Sequence, residues 1–367
     1  MDIIRFSSVL EFGTEEKQTF LDEIWDGAAD RWGSAFTPEI VNRLNMEIAT
    51  FEQVDGYMSY LYFVWRVMGE SRYFVMAHRT FAHASVVCYA LGITRIDPIR
   101  LGLDFNRFMP TDAPRFVGIQ LVTNATKGQI LDEVMNLGCR PERERLGRRE
   151  MYADTDALTI CANQRTARLI GWFNDLVDFD FIPFDDPETL QALARSEDLL
   201  GVYGCSVDSV LPKYLSRMGG RFEDLVPLCA AYLTLLPLDG SATVGRGIEA
   251  ADRFAPEMEA LLNETDGRIL YDEQFCAIAS LAGYAPSEAL DLRKVLVMRR
   301  NQRYDAHRRR FADLDVFDKL TRRGLWCISK TIAAEYAWLI YITAYLKLHY
   351  PVEYMRAALS AVADSNA

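Results

Sequence analysis

Four groupings of polar residues have the composition that chemistry needs. Asp185-Asp186 sets two carboxylates side by side, as a hard divalent cation would require, although before Pro187 the pair reads as a turn and helix cap. Tyr271-Asp272-Glu273-Gln274 holds two more adjacent acids, which read as helix-surface residues rather than catalytic ones. His78 and His83 do not share a helix face, so they read as satisfied polar residues rather than metal ligands. The fourth grouping is cationic. Between Arg293 and Lys330 stand twelve Lys or Arg against four Asp, dense enough at Arg299, Arg300, Arg303, Arg308, Arg309 and Arg310 to contact phosphates. The same arginines would equally serve by pairing with acids of the chain itself. No GxSxG, HExxH, phosphate-loop or Cys/His constellation occurs, and the seven cysteines are odd in number and never spaced as a metal knuckle. Neither a metal site nor a cofactor is expected.

The bulk of the chain supplies the setting. Its 367 residues, 50% apolar and 25% charged, are enough for two packed domains. The net charge is −12, which argues against a whole-surface grip on nucleic acid. With the 293–330 stretch removed, the remainder carries about −20, so one basic segment rides on an acidic body. The N-terminus lacks the basic start and apolar middle of a signal peptide, and the longest apolar run, Tyr336 to Leu348, reads as a buried helix containing Lys347. A reduced, cytoplasmic protein without a membrane partner is the simplest expectation.

The elements that must position these residues begin with three helices. Thr14-Glu15-Glu16 is a helix start leading to Phe20 and Ile24. Thr37-Pro38-Glu39 starts a second, with Ile40, Leu44, Ile48 and Phe51 on its core face. Tyr57 to Met68, aromatic on all sides, predicts a buried third. Short strands are predicted at Arg72 to Met76, Phe116 to Val122 and Leu158 to Cys161, with a helix over Ala82 to Leu91. Cys139 to Glu150 reads as an exposed connector, and the turn-rich Phe179 to Pro187 as a domain boundary. Beyond it the pattern is helical.

Residues 78 to 109, HRTFAHASVVCYALGITRIDPIRLGLDFNRFM, resemble GRGSAAGSLVAYALGIT followed by IDPIRYGLLFERFL, the palm core of the C-family polymerases, whose type is the bacterial DNA polymerase III alpha subunit. Further motifs follow in the family's order: IPFDDPETLQAL (182–193), GVYGCSVDSV (201–210), RFEDLVPL (221–228), the YDEQ segment within 265–294, and TAYLKLHYPVEYMRAAL (343–359). The resemblance implies an α+β, predominantly helical chain. A small polymerase beta-like nucleotidyltransferase palm sheet with helices would occupy residues 1–180, and a helical fingers-like domain residues 181–367. Only a short connector, Leu137 to Ala157, stands where the family carries its thumb. Neither the phosphoesterase-like domain nor the clamp-binding modules are expected.

The family's chemistry needs a glycine-serine turn beneath a triphosphate and three carboxylates around two magnesium ions. On this sequence the DIDIDF strand falls on Phe116 to Leu121, so its acid positions become Phe116, Gly118 and Gln120; the third carboxylate falls near Ala162. The GRGS turn becomes His78-Arg79-Thr80-Phe81, and the arginine of RPGPL becomes Thr234. Nearby acids (Asp104, Asp112, Asp132, Glu133) do not alternate on one strand. Catalytic and metal-binding residues are therefore expected to be absent. What persists is a set of candidate phosphate or nucleic-acid contacts: Arg79, Ser85, Lys294, Arg299, Arg300, Arg303, Arg308 and Lys330. The expectation is a catalytically inactive polymerase-like scaffold or accessory factor in DNA replication or repair, binding DNA or a replication protein. The alternatives are a protein-interaction module without a nucleic-acid role and a residual nucleotidyltransferase.

Overall fold

The computed structural model describes residues 2–7, 12–137, 140–141, 158–206, 209–235, 256–298, 303–311, 314–323 and 327–363. Two compact units are formed. The first comprises Met1–Met109, Pro114–Pro183 and Tyr345–Ala367; the second comprises Pro110–Ala113 and Phe184–Ala344. Chain order alone would have left residues 345–367 in the second half.

The first unit is built on a five-stranded mixed sheet of β1 (Asp2–Ser7), β2 (Val75–Ala77), β3 (Gln120–Thr123), β4 (Arg140–Pro141) and β5 (Leu158–Ala162), in the order β2-β3-β5-β1-β4. Strands β3 and β5 run parallel, with Gln120 opposite Thr159, and the other pairings are antiparallel. Strand β1, for which the local pattern predicts no element, buries Ile4 and Phe6 in alternation beside β5.

The predicted helices form with shifted details. Helix α1 (Thr14–Trp32) takes Gly13 as its N-cap, so Thr14 is the first helical residue, and Glu16 Oε2 accepts from the Gly13 amide at 3.0 Å. It buries Phe20, Ile24, Ala28 and Trp32. Gly27 is required where α1 approaches α4 (Val86–Ala90), since a Cβ there would stand 2.3 Å from the Ala90 carbonyl oxygen. Helix α2 (Pro38–Glu52) begins at its proline as expected, but Glu47 lies on the buried face and Ile48 is half-buried. Helix α3 (Tyr57–Glu70) is the aromatic helix.

Two predicted elements are shorter than their sequences suggest. The Phe116 to Val122 strand is regular only from Gln120, because Tyr57 and Tyr60 engage its leading backbone groups. Tyr57 Oη donates to the Val117 carbonyl at 2.9 Å, and the Ile119 amide donates to Tyr60 Oη at 2.5 Å. The Ala82 to Leu91 helix is interrupted at Ser85, which ends a 3-10 turn (Phe81–Ala84) and caps α4 by accepting from the Cys88 amide at 3.1 Å. Helices α5 (Lys127–Asn136), α6 (Arg165–Gly171) and α16 (Pro351–Ala363) complete the unit. Arg168 Nη2 donates to the Ala361 carbonyl at 2.7 Å, and Phe173 packs against Tyr350 and Tyr354.

The second unit is helical, as expected: α7 (Pro187–Arg195), α8 (Leu211–Leu215), α9 (Leu225–Leu235), α10 (Pro256–Leu261), α11 (Asp272–Leu281), α12 (Pro286–Met298), α13 (Arg303–Arg310), α14 (Leu314–Arg323) and most of α15 (Lys330–His349). Phe275, Ile278, Leu292, Leu296, Phe311, Phe317 and Leu320 form one core; elsewhere in the unit Phe184 stacks on Tyr341 and Phe222 meets both edge-on. Helix α15 is apolar and buried around most of its circumference from Ala333 to Leu346, and its last turn is exposed at Leu348 and His349. Among the described residues no helix is long and apolar enough to cross a membrane.

One ion pair sits at the centre of the first unit. Glu47 is fully buried, and its carboxylate accepts from Arg43 Nε at 2.7 Å, Ser85 Oγ at 2.6 Å and the Val87 amide at 3.2 Å. Arg43 Nη2 continues to the Ala84 and Leu103 carbonyls at 3.1 and 3.3 Å. Burial pushes the Glu47 carboxyl above its usual range, against the pull of Arg43 and Ser85. Replacing Glu47 by alanine leaves Arg43 and two donors without their acceptor. The expected cost is about 3–5 kcal/mol, read as a fall in the urea midpoint with unchanged slope.

Candidate functional site: the palm turn and the basic helix

At the palm turn, Arg79 occupies the left-handed region at φ 51°, which a non-glycine residue seldom adopts. Its side chain is exposed. Thr80 Oγ1 accepts from the Ala82 amide at 3.2 Å, fixing the turn locally. Phe81 is half-buried, with the Arg107 guanidinium 4.2 Å from its ring centre. Ser85 differs from Arg79 in kind: it is fully buried and its hydroxyl joins Glu47 to the start of α4. The structure thus gives Ser85, a candidate phosphate contact from the sequence, the place of an interior cap. His78 and His83 are both buried, and among the described residues they belong to no metal-holding group.

The stretch that the DIDIDF strand matches is aromatic in character. Phe116 meets Tyr57 and Tyr60 edge-on, with ring centres at 5.0 and 4.9 Å. Gln120 pairs with Thr159 across the parallel strands, and Ala162 is buried opposite Asp2 at the end of β5. No group of three His, Cys, Asp or Glu side chains is placed to hold a metal among the described residues. The neighbouring acids go to separate structural tasks. Asp104 caps the Phe105–Arg107 turn, and Glu133 accepts from Ser71 Oγ at 2.7 Å and from the Arg72 amide and guanidinium. Within the second unit, Asp112 accepts from Ser287 Oγ at 2.7 Å at the start of α12. Burial pushes the Cys88 thiol up to about 12, and that of Cys161 up to about 11 despite the nearby charge of Arg79.

In the second unit the acids of Tyr271 to Gln274 are not helix-surface residues. Asp272 is 1% exposed and pairs with Arg293 Nε at 2.9 Å. Glu273 secures the start of α15, accepting from Ser329 Oγ at 2.7 Å and the Lys330 amide at 2.8 Å. Gln274 is buried as well, its Oε1 accepting from the Leu270 and Tyr271 amides. Tyr271, Asp272 and Gln274 are buried and Glu273 half-buried around the Tyr271–Ile328 bridge, a role invisible in their local pattern. Asp186 caps α7 as expected, accepting from the Thr189 amide at 2.8 Å and its hydroxyl at 2.6 Å.

The basic stretch divides into occupied and outward cations. Arg293 holds Asp272 and the Cys327 carbonyl; burial works to lower its pKa, and Asp272 together with Cys327 and Cys276 more than offsets that. Arg310 forks onto Glu288 at 3.0 and 3.1 Å and lies 3.9 Å from the Tyr284 ring centre. Lys330, one of the candidate phosphate contacts, pairs with Glu264 at 2.7 Å and is 12% exposed. Lys294 is exposed and 3.8 Å from Asp291. Arg308 is exposed with no ion pair among the described residues. Arg309 is exposed and donates to the Asp305 carbonyl. Arg303 begins α13, while Arg299 and Arg300 lie outside the described residues.

Two family models match the chain. Residues 18–121 match the bacterial DNA polymerase III alpha NTPase domain, and residues 162–315 match the bacterial DNA polymerase III alpha subunit finger domain. The chain belongs to the bacterial DNA polymerase III alpha family. Among curated relatives it is 32% identical over 205 residues to DNA polymerase III subunit alpha of Thermus aquaticus, covering 50% of this chain and 17% of that protein. The corresponding figures for Caulobacter vibrioides are 30% over 200 residues, 50% and 17%, and for Mycobacterium tuberculosis 29% over 209 residues, 51% and 18%. The match thus spans about a sixth of the relatives' length. Within the polymerase III alpha frame, the NTPase match runs from α1 to the start of β3 and includes Arg79, Ser85 and Phe116. The finger match includes Asp272 and the basic residues through Arg310.

The occupied and outward cations separate in a stability measurement. Asp272→Ala strands the Arg293 charge in the interior and is expected to cost about 3–5 kcal/mol. Arg308→Ala, by contrast, is expected to leave the thermal midpoint where it is. Equal effects of the two substitutions would contradict this division.

Proposed function

We propose that this chain is a catalytically inactive DNA polymerase III alpha-like protein, acting in the cytoplasm as a scaffold or accessory factor in DNA replication or repair. Its palm-like part extends to about residue 180 and its fingers-like part follows. The observation that carries this reading is Phe116. Where the resemblance calls for a carboxylate, an aromatic ring packs against two buried tyrosines. Gly118, Gln120 and Ala162 supply no acid at the other positions, and a two-metal phosphoryl transfer needs such ligands. Family membership and the outward arginines of α13 support DNA or a replication protein as partner.

A second reading is a protein-interaction module without nucleic-acid binding. It is favoured by the net charge of −12 and by Arg293, Arg310 and Lys330 already holding acids of their own chain. Primer extension with magnesium or manganese tests the first element of the proposal: no product is expected, and extension above background would restore a nucleotidyltransferase. Binding to single-stranded and primer-template DNA as a function of salt tests the second. The expected result is binding that weakens steeply with salt. Removing charge at Arg299, Arg300, Arg303 and Arg308 should lower the salt slope by roughly one for each phosphate left without its cation. Binding absent at low salt, or indifferent to those substitutions, would leave the interaction module as the better account.

A further inference from the structure

Arg31, in the last turn of α1, and Arg95, in the loop after α4, converge on one carboxylate. Arg31 Nη2 lies 3.2 Å from Asp180 Oδ1, and Arg95 Nε lies 3.9 Å from the same oxygen. The second distance is an ion pair without a hydrogen bond. Arg95 Nη1 is sealed from solvent and has no hydrogen-bond partner among the described residues. Aromatic rings hold both guanidiniums in place. Arg31 lies 4.6 Å from the Tyr89 ring centre, and Arg95 lies 5.4 Å from both Phe74 and Phe179. Gly92, at φ 70°, leaves the space that Arg31 uses, since a Cβ there would stand 3.3 Å from Arg31 Nη2.

The two cations are recessed, with side chains 16% and 23% exposed, whereas that of Asp180 is 47% exposed. Burial and the charge of Arg31 both work to lower the Arg95 pKa, against the pull of Asp180 and Asp178. The other charged or titratable groups here are already placed: Asp178 holds the Asp180 amide at 3.0 Å, Asp97 accepts from Trp32 Nε1 at 3.1 Å, and Tyr89 underlies Arg31. Two guanidinium forks therefore share a single oxygen of a single-charge anion. A phosphate monoester or free phosphate offers two charges and three or more acceptor oxygens, the geometry that paired guanidiniums hold best. We propose that Arg31 and Arg95 form a binding site for a phosphate dianion, with Asp180 occupying it in the free protein and yielding when phosphate enters. Asp180 is itself exposed, although its neighbour Phe179 in the same 3-10 turn is buried, so yielding requires a side-chain rotation rather than an opening of the core. The recess suits a terminal phosphate rather than a phosphodiester backbone, which carries one charge per group and cannot reach a buried fork without bending.

Inorganic phosphate, titrated calorimetrically into the full chain at constant ionic strength, tests the site. The wild type is expected to bind it, Asp180→Asn to bind roughly tenfold more tightly, and Arg31→Gln roughly tenfold more weakly. Wild-type affinity should rise between pH 5 and 7.5, as the ligand loses its second proton near pH 6 to 7. Identical affinity in the wild type, Asp180→Asn and Arg31→Gln overturns the proposal, as does the absence of binding in Asp180→Asn. Arg95→Gln removes the second cation; should it fail to fold, Asp180→Asn and Arg31→Gln still decide. An oligonucleotide with a 5′-phosphate, compared with its 5′-hydroxyl counterpart, identifies the source. A preference for the phosphate that Arg31→Gln abolishes assigns the site to a nucleic-acid end. Binding of inorganic phosphate without that preference assigns it to the free anion.

Discussion

Glu47 brings a negative charge into the interior of the first unit, and the surrounding segments are arranged to satisfy it. A bare carboxylate in that position would be costly to bury. Arg43 from the same helix, the Ser85 hydroxyl and the Val87 amide share the charge. Because Arg43 also reaches the Ala84 and Leu103 carbonyls, the network ties α2 to the turn ahead of α4 and to the loop that follows it. The position of Tyr89, and through it of Arg31, depends on α4 starting at Ser85. A buried charge of this kind fixes a register that apolar packing alone would leave open to sliding.

The same use of acids recurs in the second unit. Glu273, Asp112 and Asp186 each meet donors at the start of a helix, at α15, α12 and α7 respectively. Two of these three come from distant parts of the chain, which makes them long-range caps and gives the unit tertiary connections where a local cap would give only helix stability. Adjacent acids that resemble a metal pair in one dimension are separated by function in three.

Much of the architecture was legible in sequence because caps and apolar spacing act locally. Pro38 opened α2, Asp186 capped α7, and YALGIT with the fingers motifs marked the family. The failures share one cause, which is a partner far away in the chain. Nothing near Glu47 announces that Ser85 will meet it, and Ile48 looks the better core residue. The Phe116 to Val122 strand alternates convincingly, but Tyr57 and Tyr60 take the hydrogen bonds that a ladder would use. Ser85 was legible as a retained motif residue but not as an interior one. The arginines of the basic stretch could be counted, whereas their division between Asp272, Glu288, Glu264 and solvent could not. Strand β1 went unread because its sequence is short and acquires meaning only beside β5.

The packing of Phe116 against Tyr57 and Tyr60 also decides what position 116 can accept. An aspartate placed at 116 would forgo the aromatic packing before gaining any metal, and two bulky phenols would flank its carboxylate. Those phenols are themselves committed to Val117 and Ile119, so shrinking either would loosen the backbone that the aspartate needs. The aromatic trio thus couples side-chain packing at 116 to the backbone hydrogen bonds at 117 and 119.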